Sequence, residues 1–204
     1  MSDNIIQYNI VLASNSPRRR ELLGGLGIPF SVKVLPDVEE TYPAELPVGE
    51  TAEYIAREKA AAYRSLISPD ELIITADTVV IVDQEVMGKP VDEADARRML
   101  EKLSGRTHQV ITGVCLTTQQ FSRSFSVTTD VTFKALSAEE IDYYIFNYQP
   151  FDKAGAYGIQ EWIGYIGVTG INGSYFNVMG LPVQRIYTEL SKIKSDFGSL
   201  TKKV

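Results

Sequence analysis

The amino-acid sequence predicts an α/β fold built around a mixed sheet. Segments of strand character alternate along the chain with segments of helical periodicity, which is typical of α/β proteins. Residues 110–117 and 124–133 have the character of two long strands joined by a polar turn at 118–123, so part of the sheet is expected to be antiparallel. The 204 residues include 44% hydrophobic and 23% charged side chains, which suffices for a core without disulfides or a structural metal.

Each predicted element follows from its residue types. Runs rich in β-branched and apolar residues predict strands at 9–13, 72–76, 79–82, 110–117 and 124–133. Apolar residues spaced three or four apart predict helices at 17–26, 51–66, 93–103 and 138–146. The proline-rich segment 36–47 is expected to be a loop. We expect residues 1–204 to form a single domain of two lobes, with a frayed, lysine-rich tail at 192–204.

The composition excludes several classes of protein and site. Cys115 is the only cysteine and His108 the only histidine, so an intramolecular disulfide, a cysteine-based zinc cluster and a two-histidine metal site are impossible. A net charge of −6 argues against nucleic acid as a partner, and P-loop and GxGxxG motifs are absent. No apolar run reaches the ~18 residues of a membrane span and the start lacks signal-peptide features, so we expect a cytoplasmic protein without a membrane partner.

The start of the first predicted helix is the first candidate site. Ser16 is a suitable N-cap, and Pro17 suits the first helical position. The first turn then carries Arg18, Arg19 and Arg20, although the positive end of the helix dipole disfavours each cation by ~0.3–1 kcal/mol. Backbone N–H groups, serine hydroxyls and an arginine fork suit a phosphate group, whereas a salt-bridged structural turn explains the same residues equally well.

Asp77 is the second candidate, because it interrupts an otherwise apolar run at 72–82. Burying an unpaired carboxylate costs several kcal/mol, so this side chain must be hydrogen-bonded, bound to a metal or exposed at a break in the strand. The structural alternative is a kink at which Asp77 and Thr78 cap their own backbone.

Two lysines and a glutamine are further candidates. Lys59 shares a helical stripe with Ile55 and Tyr63, where a lysine is either a functional group directed inward or a snorkelling side chain. Lys89 stands in a tight turn, where a lysine is normally just solvated. Gln160 carries a donor and an acceptor on one amide, which suits the carbonyl and imide edge of a pyrimidine, although a surface strand residue is the simpler interpretation.

Five segments together resemble the Maf family of nucleoside triphosphate pyrophosphatases, in family order and over nearly the whole chain. They are Ala13-Ser14-Asn15-Ser16-Pro17-Arg18-Arg19, Ala76-Asp77-Thr78-Val79-Val80, Gly88-Lys89-Pro90, Leu103-Ser104-Gly105-Arg106-Thr107-His108 and Asp152-Lys153-Ala154-Gly155. The resemblance implies a fold similar to that of inosine triphosphatase, with an elongated mixed sheet flanked by helices and an active-site cleft between two lobes. It also implies hydrolysis between the α and β phosphates of a nucleoside triphosphate.

The resemblance further implies roles for individual residues, carried over by position. Four residues match the catalytic positions of the family. Asp77 corresponds to the catalytic carboxylate, Lys59 and Lys89 to the two lysines of the cleft, and Glu40 to an acidic residue near the metal. Asp77 and Glu40 are therefore the expected ligands of Mg²⁺ or Mn²⁺. The positions expected to bind substrate are Ser14, Ser16, Arg18, Arg19, Thr78, Lys153 and Gln160. A homodimer is implied as well.

The segment 152–160 resembles the branch of the family that acts on dTTP and UTP, and differs from the branch that favours 7-methyl-GTP. In that comparison Arg18, Thr78 and Gln160 occupy the specificity positions, and Glu161 departs from the branch, which usually has glycine there. The resemblance thus predicts hydrolysis of dTTP and UTP, with modified pyrimidine nucleotides as further candidates, to the monophosphate and pyrophosphate. The alternative is a nucleotide-binding regulator of cell division, acting in septum formation, in which hydrolysis is incidental.

Overall fold

The computed structural model describes residues 8–36, 38 and 41–200, with side chains as far as residue 193. Its strands are β1 (Asn9–Leu12), β2 (Phe30–Val32), β3 (Glu71–Val82), β4 (Glu85–Met87), β5 (Thr107–Thr117), β6 (Ser122–Phe133) and β7 (Val168–Asn172). They form one sheet in the order β2-β1-β3-β5-β6-β7, and β4 pairs with the end of β3. Strand β1 is parallel to β2 and β3, whereas the other described pairings are antiparallel, so the predicted mixed sheet is confirmed.

The central strand β3 corrects one prediction. The sequence predicts two strands, 72–76 and 79–82, separated at Asp77, but the structure has one unbroken strand. The break is unnecessary because β5 pairs with β3 from Ile73 to Ile81, and Asp77 lies directly opposite Gly113. The antiparallel pairing of the two long strands β5 and β6 is confirmed.

Helices flank the sheet on both faces. Those in the described residues are α1 (Pro17–Gly24), α2 (Thr51–Tyr63), α3 (Glu93–Leu103), α4 (Ala138–Tyr148), α5 (Trp162–Gly167), α6 (Tyr175–Val178) and α7 (Val183–Leu200). The first four are predicted from the sequence and confirmed, with small differences at their C-terminal ends. None of these helices combines the length and apolar character that a membrane crossing demands.

The C-terminal helix α7 is missing from the sequence prediction. It includes residues 192–200 of the segment expected to be a frayed tail, and Ile193 at the start of that segment is buried. The single-domain organisation and the fraying of the last residues stay predictions.

The core has two large apolar clusters on one face of the sheet and helix α2 on the other. One cluster joins α1 and α7 to the β1 end of the sheet, and the second joins α3 and α4 to the end of β3 near β4. Between them lie two polar residues, Thr78 and Thr112, whose hydroxyls are 3.0 Å apart. The division into two lobes stays a prediction. On the opposite face, alanines of α2 pack against β3 and β5.

Gly113→Ala should lower the free energy of unfolding by about 1–3 kcal/mol, as expected for overpacking a close contact. A methyl group at Gly113 would lie 2.3 Å from backbone atoms of Ala52, so α2 would have to move away from the sheet. Urea denaturation measures the change. Gly49→Ala is the matched control, because its added methyl meets no atom within 4 Å. An unchanged unfolding midpoint for Gly113→Ala would contradict this packing.

Candidate active site

A cleft of about 630 Å³ is the candidate active site. It is lined by the β1–α1 turn, α2, the middle of β3, the turn after β4 and the segment 152–160. These elements bring together the predicted site residues that the structure describes, namely Ser14, Ser16, Arg18, Arg19, Lys59, Asp77, Thr78, Lys89, Lys153 and Gln160. Glu40 lies outside the described residues, so its predicted place near a metal stays a prediction.

The β1–α1 turn is held by its own serines. The Ser14 hydroxyl accepts a hydrogen bond from the Ser16 backbone N–H at 3.2 Å. The Ser16 hydroxyl accepts one from the Arg19 backbone N–H at 3.4 Å, which confirms Ser16 as the N-cap of α1. The turn therefore directs the N-terminus of α1 at the cleft, where the helix dipole favours an anion.

Arg19 connects three parts of the cleft. Its Nε donates to the Gly180 carbonyl at 2.8 Å, and its Nη1 donates to the Ala76 carbonyl at 2.8 Å. Its Nη2 donates to the Thr78 hydroxyl at 3.1 Å. This guanidinium thus joins α1 to β3 and to the loop before α7, which explains an arginine in the first turn of a helix without an added anion. Its predicted contact with phosphate stays a prediction.

Arg18 leaves α1 in a different direction, across the mouth of the cleft. Its Nη1 donates to Asp152 Oδ2 at 2.9 Å. Although partial burial alone would raise it, hydrogen bonds from Lys153 and Arg18 hold the pKa of Asp152 below its usual value. The pair therefore joins the start of α1 to the segment 152–160.

Asp77 and Lys59 form an ion pair in the interior of the cleft. Lys59 Nζ of α2 donates to Asp77 Oδ1 of β3 at 2.8 Å, and 13% and 12% of the two side chains are exposed. Of the alternatives that the sequence leaves open for Asp77, the structure has the hydrogen-bonded one in an unbroken strand. The helical stripe that Lys59 shares with Ile55 and Tyr63 turns the lysine into the cleft, so of the two alternatives for Lys59 the structure has the inward one.

The donor set of the cleft fits a cation that arrives with its substrate. Within the described ranges there is no group of three or more histidine, cysteine, aspartate or glutamate side chains able to hold a metal ion. Mg²⁺ commonly takes one or two protein carboxylates and completes its shell with substrate phosphates and water. Asp77 in the cleft can supply such a carboxylate.

The segment 152–160 forms a wall of the cleft and docks closely on the sheet. Gly155 has φ +67, its N–H donates to the Gly88 carbonyl at 3.0 Å, and a Cβ there would lie 2.9 Å from the Val80 side chain. Buried Ala156 also has positive φ, at 58°, a conformation that costs about 1–2 kcal/mol outside glycine. Gly155 thus couples this wall to the turn that carries Lys89, which is exposed at the rim of the cleft.

Comparison with known proteins shows which family the chain belongs to. A family model described as "Maf-like protein" matches residues 9–193. The chain belongs to the Maf family. It is 69% identical over 193 residues to a dTTP/UTP pyrophosphatase of Phocaeicola vulgatus, covering 95% of this chain and 100% of that protein.

Two further relatives and one solved structure are similar to this chain of the Maf family. A dTTP/UTP pyrophosphatase of Bacteroides thetaiotaomicron is 58% identical over 193 residues, covering 95% of this chain and 100% of its own. One from Porphyromonas gingivalis is 56% identical over 200 residues, covering 97% and 98%. A solved structure of a HAM1 protein from Coxiella burnetii superposes with a TM-score of 0.48 at 18% identity, covering 91% of this chain and 99% of that one.

Two residues that form or support the wall of this Maf cleft are missing from the sequence prediction. Asp152 pairs with both Arg18 and Lys153, and its signal is an acid directly beside Lys153 within the Maf-like segment. Tyr144 supports the wall from α4, but it lies on the buried stripe of that helix, where the pattern gives no sign that its hydroxyl is used.

His108 lies behind the Maf cleft wall and not in the cleft. Its Nε2 and the Tyr157 hydroxyl share a hydrogen bond of 2.8 Å, and its Nδ1 has no hydrogen-bond partner among the described residues. Burial lowers the pKa of His108 to about 4. Its place in the core agrees with a structural histidine.

The depressed pKa of His108 makes the protein less stable in acid. Between pH 6.5 and 4 the unfolded chain binds a proton at this histidine that the folded chain does not, so stability falls as pH falls, by an amount of order 3 kcal/mol in total. In His108→Gln, the loss of unfolding free energy between pH 7 and pH 4 should shrink by that order, measured by urea denaturation at each pH. His108 is the only histidine in the chain, so equal losses in both proteins would contradict its buried neutral state.

Proposed function

We propose that this protein is a nucleoside triphosphate pyrophosphatase that hydrolyses dTTP and UTP to the monophosphate and pyrophosphate. The observation that carries the proposal is the buried Asp77–Lys59 pair in a cleft whose charged lining is mainly cationic, with Asp152 as the other carboxylate. Binding an anion does not require a carboxylate beside it, whereas hydrolysis requires a proton acceptor. The names of the relatives from Phocaeicola and Bacteroides support the same reaction.

The charge of the cleft suits a triphosphate. Cationic side chains from four separate segments line it, namely Arg18, Arg19, Lys59, Lys89 and Lys153. The N-terminus of α1, with the hydroxyls of Ser14 and Ser16, adds backbone and side-chain donors at one end. Hydrolysis of a phosphoanhydride depends mainly on positioning and on stabilising charge on phosphate oxygens, and these groups supply both.

In the proposed reaction, a water molecule attacks the α-phosphorus and the bond to the bridging α–β oxygen breaks. Asp77 accepts the proton of the water, the hydroxyl stays on the nucleoside monophosphate, and pyrophosphate leaves with the bond electrons. Lys59 holds the Asp77 carboxylate in place and, with Lys89, stabilises charge that develops on the leaving group. Asp77 and the predicted ligand Glu40 would hold a divalent cation, which would supply charge neutralisation and a more acidic water.

Recognition of the pyrimidine ring of the nucleotide is assigned to Gln160, at the far end of the cleft wall. Its side-chain amide offers one acceptor and one donor, which match the N3–H and O4 groups of uracil and thymine. Thr78 and Arg18 are the other proposed specificity positions, and Thr78 is fixed by the hydrogen bond from Arg19.

Product analysis tests the proposal. The purified protein is incubated with each common nucleoside triphosphate and Mg²⁺, and the products are separated. We expect monophosphate and pyrophosphate from dTTP and UTP, and loss of both products in Asp77→Asn. Asp142→Asn, at an exposed ion pair on α4, is the matched control. Tight binding without turnover would contradict the enzyme and favour the nucleotide-binding regulator.

The homodimer and the cytoplasmic location implied by the sequence stay predictions. Sedimentation equilibrium of the purified protein, with and without UTP, tests the first of them.

A further inference from the structure

A chain of buried polar contacts supports the cleft wall from behind. The hydroxyl of Tyr144, on α4, donates a short hydrogen bond to Glu161 Oε2 and accepts one from the Gly158 backbone N–H at 3.0 Å. Glu161 Oε1 in turn pairs with Lys153 Nζ at 3.1 Å. Glu161 therefore bridges a core helix and a lysine of the cleft wall.

Burial makes these contacts strong constraints. Tyr144 is fully buried, and burial together with the Glu161 carboxylate raises its pKa, so the phenol remains a hydrogen-bond donor. Lys153 is only 7% exposed and lies between two carboxylates, with Asp152 at 2.6 Å on its other side. In such a setting, removing one partner leaves a buried polar group unsatisfied, so the surrounding backbone must shift or take in water.

Gly158 connects this chain of contacts to the base-recognition residue. A Cβ built at Gly158 would lie 2.8 Å from Cδ of Glu161 and 3.0 Å from Nε2 of Gln160. The side chains of Gln160 and Glu161 thus both fold back over Gly158, whose N–H is held by Tyr144. The Gln160 amide therefore packs directly on Gly158, so a shift of the Gly158 backbone changes the surface against which this amide lies.

We propose that Glu161 and Tyr144 are positioning residues that hold the Gly158–Gln160 backbone, and through it set the preference for a uracil or thymine base over cytosine. Uracil and thymine present N3–H and O4, whereas cytosine presents N3 and an amino group, so only a fixed amide orientation tells them apart. The proposal rests on the proposed function for the role of Gln160. In this proposal Glu161 and Tyr144 do not contact the substrate; they act only by holding the Gly158–Gln160 backbone.

The first test measures the loop without any substrate. In Tyr144→Phe and Glu161→Gln, amide hydrogen exchange in a peptide spanning 153–161 should be faster by about tenfold or more at Gly158. The matched controls are Tyr143→Phe and Glu139→Gln, both at exposed residues of α4; the Tyr143 ring meets Trp162 of α5 at a tilted angle. Unchanged exchange in both test variants would overturn the positioning role.

The second test measures base discrimination by binding, so that it does not depend on turnover. Calorimetry gives the Kd of α,β-methylene UTP and of α,β-methylene CTP for each protein. We expect the Kd of the CTP analogue divided by the Kd of the UTP analogue to fall about tenfold in Tyr144→Phe and Glu161→Gln, mainly through weaker UTP-analogue binding. The same ratio should be unchanged in both controls. A retained ratio, or a wild-type protein that binds neither analogue, would overturn the proposal.

The proposed function and this inference fail in different ways. Suppose that wild-type protein discriminates between the analogues, that the variants do not, and that no triphosphate is hydrolysed. The positioning role is then supported and the proposed hydrolytic function is contradicted. If wild-type protein hydrolyses UTP and the variants keep its preference for UTP over CTP in kcat/KM, the proposed hydrolytic function is supported and the positioning role is contradicted.

Discussion

Asp77→Asn is expected to lower kcat for dTTP and UTP by at least about 100-fold, the usual contribution of a general base. An amide cannot accept the proton that the carboxylate takes in the proposed reaction. Its oxygen can still accept the hydrogen bond from Lys59 Nζ, so the packing between α2 and β3 should be retained. Steady-state kinetics measures the loss, and thermal unfolding shows that the fold is intact. A loss of less than about tenfold would remove Asp77 from the proton-accepting role.

Lys59→Met supplies the complementary result. It leaves the Asp77 carboxylate buried without this lysine, so it should lower both stability and activity, with a stability loss of up to about 3–5 kcal/mol. Adding Asp77→Asn to Lys59→Met should restore part of that stability, because the buried charge is removed, while activity stays low. Additive stability losses in the double variant would show that the two side chains do not act as a pair.

Asp77 illustrates how far the sequence reaches. The apolar run around it shows that the carboxylate needs a partner, but the partner is Lys59, 18 residues away on another element. The predicted break in the strand is wrong for a related reason. Local pattern does not show that β5 pairs along the whole of β3 and satisfies its backbone through Asp77. By contrast, α1 and its cap at Ser16 depend on neighbouring residues only, and these are predicted well.

The wall behind Gln160 was beyond sequence reasoning for a different physical reason. Lys153 and Glu161 are close in the chain, but their link to the core runs through Tyr144, which the helical pattern identifies only as a buried residue. A tyrosine hydroxyl carries no periodic signal. Its use is decided by which backbone N–H happens to face it after the helix has packed, here that of Gly158.

Arg18 and Arg19 are adjacent and look equivalent in the sequence, but their substitutions should lower stability by different amounts. Arg19→Met removes three hydrogen bonds, to Gly180, Ala76 and Thr78, and should lower the free energy of unfolding by at least about 2 kcal/mol. Arg18→Met removes a partly exposed pair with Asp152, which should cost no more than about 1 kcal/mol. Urea denaturation of the two variants measures the difference.

For substrate binding the order should be reversed, with Arg18 more important than Arg19 for the KM of UTP. The Arg18 guanidinium lines the cleft, and a phosphate group can take the place of Asp152 as its partner. Arg18→Met should therefore raise KM for UTP by about tenfold with little loss of stability. Arg19→Lys should fail to rescue Arg19→Met, because one ammonium group cannot reach three acceptors that the planar guanidinium meets together. If Arg19→Met instead keeps full stability and loses UTP binding, the guanidinium is a phosphate ligand, and its contacts to Gly180 and Ala76 are too weak to hold the cleft together.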